Sequence, residues 1–232
     1  MMSKKLPQDC DSRRNALKKL SLPALSGLAA LGAGATWPLH ALAQIAKPAQ
    51  VSRQTERLIS LGGGITEVVY ALGAESMLVG TDTTSLYPQA AQSTPKVGYL
   101  RALSAEGLLA LRPTALVASS DAGPPVVLDQ LRSAGVRLAL VQADHTWAEV
   151  HRKVQAVGEI TGQQDAATKL RQRLDDQWKN LQAKIKASQG TGPKVLFILS
   201  HAGSPMVSGE GTAADAVIRF IGARNAINGF KG

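Results

Sequence analysis

Arg57-Leu58-Ile59-Ser60-Leu61-Gly62-Gly63-Gly64 is a short apolar run that stops on three glycines. Ile65-Thr66-Glu67-Val68-Val69-Tyr70-Ala71-Leu72 then takes over with apolar residues at helical spacing, and Gly73-Ala74 ends it. The first piece predicts a buried strand and its turn, the second a helix. Working outward, Met77–Gly80 reads as a second short strand. A helix over Ser104–Leu111 has a Ser cap and ends before Pro113. Ala115–Ala118, a helix over Val126–Ala134, and Arg137–Val141 continue the alternation. Strands alternating with helices imply a parallel sheet covered on both faces.

From Trp147 to Ser188 the chain is almost entirely helix-forming, with one break at Thr161-Gly162. The piece 163–188 is long enough to reach about 37 Å at 1.5 Å per residue. Its apolar residues Ala167, Leu170, Leu174, Trp178, Leu181 and Ile185 form a narrow stripe. A coiled-coil arm needs a longer seam, so the stripe predicts a helix laid along its own protein. After Pro193 the strand–helix texture returns, with a strand over Lys194–Leu199 and a helix over Thr212–Ile221 closed by Gly222. This block echoes the first: Val195–Leu199 with Ser200 and Gly203 parallels Arg57–Leu61 with its glycines, and Ile221-Gly222-Ala223 parallels Leu72-Gly73-Ala74. The expected architecture is α/β, two similar Rossmann-like lobes joined by one long rigid helix, with the second lobe incomplete at Gly232. The expected organisation is a signal segment 1–43, a leader arm 44–56, a first lobe 57–145, a helical linker 146–190 and a partial second lobe 191–232.

The chain of 232 residues has a formal charge of +9. Six basic and two acidic residues lie in 1–43, leaving 20 basic and 15 acidic, a net +5, over 189 residues. No basic run with interleaved aromatics remains there, which excludes a nucleic-acid partner. Ser12-Arg13-Arg14-Asn15-Ala16-Leu17-Lys18 resembles a twin-arginine export motif. A Gly/Ala-rich apolar stretch follows, and Ala41-Leu42-Ala43 offers a small-x-small cleavage site. Pro23, Pro38 and several glycines interrupt that stretch, which argues against a membrane-spanning helix. Cys10, the only cysteine, would leave with the signal. The expected product is an exported, periplasmic protein.

Gly62-Gly63-Gly64 lacks the GxGxxG spacing of a dinucleotide site, and no Walker lysine follows. Close backbone approach to a ligand is the better account. No GxSxG nucleophile elbow is present. His145 and His151, six apart, match neither a helix face nor a zinc pattern. Tyr70 falls in a helix stripe and reads as core, and Tyr87 before Pro88 as a packing residue.

Several motifs resemble the class III periplasmic substrate-binding proteins, which serve importers for cobalamin, siderophores and haem. They are Leu58-Ile59-Ser60-Leu61, Thr66-Glu67, Leu72-Gly73, Val79-Gly80, Tyr87-Pro88, Lys96-Val97-Gly98-Tyr99, Leu103-Ser104-Ala105-Glu106 and Leu111-Arg112-Pro113. Gly98-Tyr99-Leu100-Arg101, Leu199-Ser200-His201-Ala202-Gly203 and Gly209-Glu210-Gly211-Thr212-Ala213-Ala214-Asp215 resemble the haem-binding branch more specifically. The resemblance implies two α/β lobes with haem held in the cleft between them. It also implies delivery to the permease subunits of an ABC importer, with an ATPase behind them, by a monomeric carrier that is no enzyme. The alternatives are a siderophore or cobalamin carrier of the same fold, or a periplasmic haem-dependent or hydrolytic enzyme.

Tyr99 follows a short strand and a glycine, at the edge where open α/β sheets place ligands. A phenolate is a hard anionic ligand for ferric haem iron. Phenol titrates near 10, so iron and a nearby cation must stabilise the anion. Arg101 is placed to aim a guanidinium at that phenolate or at a haem propionate. The other reading of Tyr99 is a half-buried structural residue. His201 ends the second lobe's first strand, so it reads either as a loop-capping residue or as a ligand to the opposite iron face or a second, stacked haem. Glu106 suits a helix N-terminus. The resemblance adds a role for it as an acidic docking residue facing arginines of the permease.

Overall fold

The computed structural model describes residues 56–188, 192–201 and 203–232. The expected signal segment and all of the leader arm except Glu56 lie outside the described residues. Among the described residues no helix is long and apolar enough to cross a membrane.

The first lobe follows the alternation read from the sequence. Strand β1 (Leu58–Leu61) leads into α1 (Gly63–Ala71), and β2 (Leu78–Thr81) follows a short 3₁₀ turn at Glu75–Met77. Then come α2 (Ala105–Ala110), β3 (Ala115–Ser119), α3 (Pro125–Ser133) and β4 (Arg137–Val141). The four strands form one parallel sheet in the order β2-β1-β3-β4. Every residue of β1 is fully buried, as expected of a strand covered on both faces. One face packs Leu58, Ala115 and Val117 against α1 and the following helix through Ile65, Val69, Val154 and Val157. The other packs Ile59, Leu61 and Leu116 against α2 and α3 through Leu108, Leu128 and Leu131. Ser104 caps α2, its Oγ accepting from the Gly107 N–H.

Helices α4 (Trp147–Thr161) and α5 (Gln164–Ala187) form a hairpin turned by Gly162, whose φ of 72° lies in the left-handed region open to glycine. A Cβ at Gly158 would fall 2.6 Å from the Ala167 Cβ, so a glycine lets the two helices touch. The stripe on α5 is buried at Ala167 and Leu170, where α4 covers it. Trp147, at the start of α4, stacks on Trp178 of α5 with ring centroids 4.6 Å apart and planes 9° apart. The linker is thus a helical hairpin whose second arm runs on past the first by about nine residues, roughly 13 Å at 1.5 Å per residue.

That projecting end carries the second set of elements. Strand β5 (Lys194–Val195) is followed by β6 (Ile198–His201), β7 (Ser204–Val207), α6 (Ala213–Phe220) and β8 (Arg224–Asn225). Phe220 meets Trp178 edge-on at 5.0 Å, and Gln182 Nε2 donates to the Phe220 carbonyl. The internal echo is visible at the hydrogen-bond level. β1 and β2 pair in parallel around α1, and β5 and β8 pair in parallel around α6. Both helices end in the same cap: Gly73 and Gly222 have φ of 68° and 75°, and the next N–H reaches back five residues, Ala74 to Val69 and Ala223 to Ile218.

One strand expectation is corrected. Lys194–Leu199 is not a single strand but divides at Leu196-Phe197, because β5 pairs with β8 whereas β6 turns away to pair antiparallel with β7. The apolar face here is open: Leu196, Phe197, Ile198 and Leu199 are 44–56% exposed, and Val217 and Ile221 are 59% and 55% exposed. Two-stranded pairs with open faces are marginal in water. Limited chymotrypsin digestion is therefore expected to cut first within 192–232, at sites such as Phe197 and Leu199, while a fragment spanning 57–187 persists. Simultaneous cleavage of both parts would contradict this reading.

Candidate functional site

In a parallel sheet all carboxyl ends share one edge, and three loops meet there. Asp82, just beyond β2, is fully buried and organises the first. Its Oδ1 accepts from the Gly62 N–H (2.9 Å) and Ser85 Oγ (2.6 Å), and its Oδ2 from the Thr84 N–H (3.1 Å) and Thr84 hydroxyl. Ser85 continues to Thr66 and Thr66 to Ser60, an entirely buried hydroxyl chain under the start of α1. Burial pushes the Asp82 carboxyl up, but the hydrogen bonds from Ser85, Thr84 and Gly62 outweigh it and hold the group below its ordinary range.

The three glycines acquire distinct roles. Gly62 takes a φ of 107° at the helix cap and gives its N–H to Asp82. A Cβ on Gly63 would sit 3.0 Å from the Thr84 carbonyl oxygen, so the backbone that approaches it is the protein's own. Gly64 is exposed, near Lys153 Nζ.

The segment that carries Tyr99 lies along the free edge of β2. Lys96 bridges Thr81 in parallel, the Thr83 N–H donates to the Gly98 carbonyl, and the Val97 N–H to that of Thr81. Lys96 Nζ donates to Thr81 Oγ1, Ser85 O and Ala91 O at 2.8–3.0 Å, using all three protons to pin the loop. A tight turn closes from the Ala102 N–H to the Tyr99 carbonyl. It leaves Tyr99 43% exposed and puts Arg101 beside its ring. Arg101 Nη1 donates to Tyr99 Oη at 3.0 Å, and Nη2 meets Asp121 Oδ2 at 2.5 Å. The Asp121 hydrogen bond, then that of Tyr99, raises the guanidinium above its ordinary value, so Arg101 stays cationic.

Tyr99 and Arg101, paired in the sequence reading, are thus in contact, and Gly62–Gly64 occupy the same sheet edge. A Cβ on Gly62 would lie 3.9 Å from that of Ser119, two residues before Asp121. His201 closes β6 opposite Ser204, but its side chain lies outside the described residues. Glu106 stands exposed in the first turn of α2. Tyr70 is half-buried, whereas Tyr87 is 68% exposed, so the expected packing role of Tyr87 is corrected. His151 Nε2 lies 2.7 Å from Asp175, which also accepts from the Trp147 indole. Among the described residues no three His, Cys, Asp or Glu side chains gather as a metal site. Asp82 and Asp121 were missed in the sequence; the available signal was an acidic residue just past the end of an apolar strand.

A periplasmic heme-binding protein, BhuT, in complex with two hemes is 43% identical, with a TM-score of 0.72 over 76% of this chain and 69% of that one. A periplasmic heme binding protein from Pseudomonas aeruginosa is 38% identical, with a TM-score of 0.70 over 76% and 64%. A vitamin B12-binding protein of Yersinia pestis is 26% identical over 77% of this chain and 61% of its own length. The chain spans 57–61% of the length of the curated relatives it matches first. The periplasmic binding protein family matches over residues 58–231. With its parallel α/β lobe, its helical linker and its echoed second βαβ unit, the chain belongs to the periplasmic binding protein family.

Proposed function

We propose that this protein captures haem at the carboxyl edge of its first lobe, facing the second, and delivers it to the permease of an ABC importer. The observation that carries this reading is the exposed Tyr99 phenol hydrogen-bonded to a cationic Arg101. A phenol that loses its proton to solvent becomes an anionic oxygen ligand for ferric iron, and the guanidinium stabilises that anion. Leu86 and Tyr87, 59% and 68% exposed on the same β2–α2 connection as Tyr99, add apolar surface suited to a flat macrocycle. The likeness to heme-binding structures at 38–43% identity supports haem as the cargo. His201 is proposed as a second ligand, to the opposite iron face or a stacked haem. Glu106 is proposed as a permease-docking carboxylate, and Gly62–Gly64 as backbone lining the pocket. Residues 1–43 are proposed as a twin-arginine-type signal and 44–56 as a leader arm. In this organisation 57–145 forms the first lobe, 146–190 the linker and 191–232 part of the second lobe of a monomer that performs no chemistry on its cargo.

The likeness to vitamin B12-binding proteins favours a corrinoid as the second reading. Titration of the purified protein with hemin and, separately, with cyanocobalamin separates the two. A shifted Soret band with a high-spin ferric, phenolate-ligated spectrum is the expected result for hemin. Binding of cyanocobalamin without a hemin response would overturn the haem reading.

A further inference from the structure

Asp121 belongs to none of the motifs that point to the site, yet it occupies half of the Arg101 fork. Its loop, after β3, is laced to the Tyr99 loop by two backbone hydrogen bonds: the Gly123 N–H donates to the Leu100 carbonyl at 2.9 Å, and the Leu103 N–H to the Gly123 carbonyl at 3.0 Å. Asp121 is itself held in a turn, in which the Ala122 N–H donates to the Ser119 carbonyl and the Asp121 N–H to Ser119 Oγ. A carboxylate twenty residues away in sequence is therefore fixed against the guanidinium on rigid backbone rather than by chance of side-chain sampling.

The guanidinium is planar, and its donors point in a fixed fork. Anchoring Nη2 on Asp121 therefore aims Nη1, and Nη1 is the atom on Tyr99 Oη. Over half of the Arg101 side-chain surface is exposed, 56%, so without an anchor its long stem would sample many rotamers. The carboxylate also offsets part of the guanidinium charge. That charge would otherwise draw electron density from a phenolate whose task is to donate to iron.

We propose that Asp121 is a positioning residue for haem coordination, acting through Arg101 on the Tyr99 oxygen. The proposal rests on the haem reading above. It separates two uses of Arg101: an arginine aimed at the phenol tunes the iron bond, whereas one aimed at a propionate would grip the macrocycle whether or not it held iron.

The test compares wild type, Asp121→Ala, Asp121→Glu, Arg101→Ala and the Asp121→Ala/Arg101→Ala double variant. Each is titrated with ferric haem and with iron-free protoporphyrin IX, and the iron–phenolate stretch is read by resonance Raman. Arg101→Ala is expected to weaken ferric haem binding by about tenfold to a hundredfold, the scale of one charge-assisted hydrogen bond. Asp121→Ala is expected to weaken it by about two- to fivefold, as suits an exposed ion pair acting at one remove. It should move the stretch toward its position in Arg101→Ala and add nothing in the double variant. Asp121→Glu should restore much of the affinity. Protoporphyrin IX should bind all of them within about twofold of wild type. Additive losses in the double variant, equal losses for protoporphyrin IX, or an unmoved stretch and affinity in Asp121→Ala would each overturn the role of Asp121. Wild type that ignores ferric haem altogether would overturn the haem reading, and this proposal with it.

Discussion

Replacing Tyr99 with Phe is expected to abolish the phenolate-to-iron charge-transfer band and to weaken ferric haem binding by more than about a hundredfold. Loss of a group that only supports a metal ligand costs ten- to a hundredfold, and the ligand itself should cost more. The substitution removes one oxygen and keeps the ring, so the apolar surface offered to the macrocycle is unchanged. Tyr99 lies in a loop held by backbone bonds from Thr83 and Ala102, none of which involves its phenol, so folding should be unaffected. Visible absorption and hemin titration provide the check. Tyr87→Phe serves as the control, because Tyr87 is even more exposed and lies on the same β2–α2 connection. Survival of the band in Tyr99→Phe, with loss in Tyr87→Phe, would move the iron ligand to Tyr87.

The second large effect concerns stability. Asp82→Ala removes the acceptor of the part-buried Gly62 N–H, whereas the N–H of the exposed Thr84 can turn to water. One such donor left unsatisfied costs about 1–3 kcal/mol, so the variant should lose about that much. That is a large share of the stability of an ordinary domain, about 5–15 kcal/mol. The hydroxyl chain Ser60–Thr66–Ser85 loses its anionic terminus as well. The Asp82 carboxyl is held below its ordinary range in the folded protein. Its contribution is therefore fully present above the unfolded value near 4 and lost as pH falls through the folded one. Urea unfolding at pH 7 should show the full gap between wild type and variant, and at pH 3 the gap should narrow. A gap that stays constant with pH would mean that the Asp82 charge is not what holds the loop.

These two predictions mark what was legible in the chain. β1, β3, β4 and the cap at Ser104 follow from local signals: apolar runs bounded by glycine, a hydroxyl before a helix, a proline after one. The echo was legible because both copies end their helix on Gly73 or Gly222, where a left-handed residue is needed. The division at Leu196-Phe197 was not, because a continuous apolar run carries no mark where its pairing partner changes. Nor did local pattern reveal β7, a hairpin arm that contains Pro205. Within the site, Tyr99 and Arg101 lie two apart and could be paired on paper. Asp121 could not, because Arg101 is brought to it by the fold. Of the partners of Asp82 only Thr84 and Ser85 lie in its own window, whereas Gly62 arrives by sheet order.

The stacked indoles of Trp147 and Trp178 give the molecule an optical property of its own. Two indoles with centroids 4.6 Å apart and nearly parallel planes absorb as a coupled pair, and the sign and size of their circular dichroism depend on their mutual angle. Phe220 rides on the edge of that pair from α6 but absorbs at shorter wavelength. A movement of α6 alone would leave the couplet intact and change only the surroundings of Trp178, whereas a parting of α4 from α5 would extinguish it. The protein therefore carries, unlabelled, a reporter that distinguishes bending beyond the linker from bending within it.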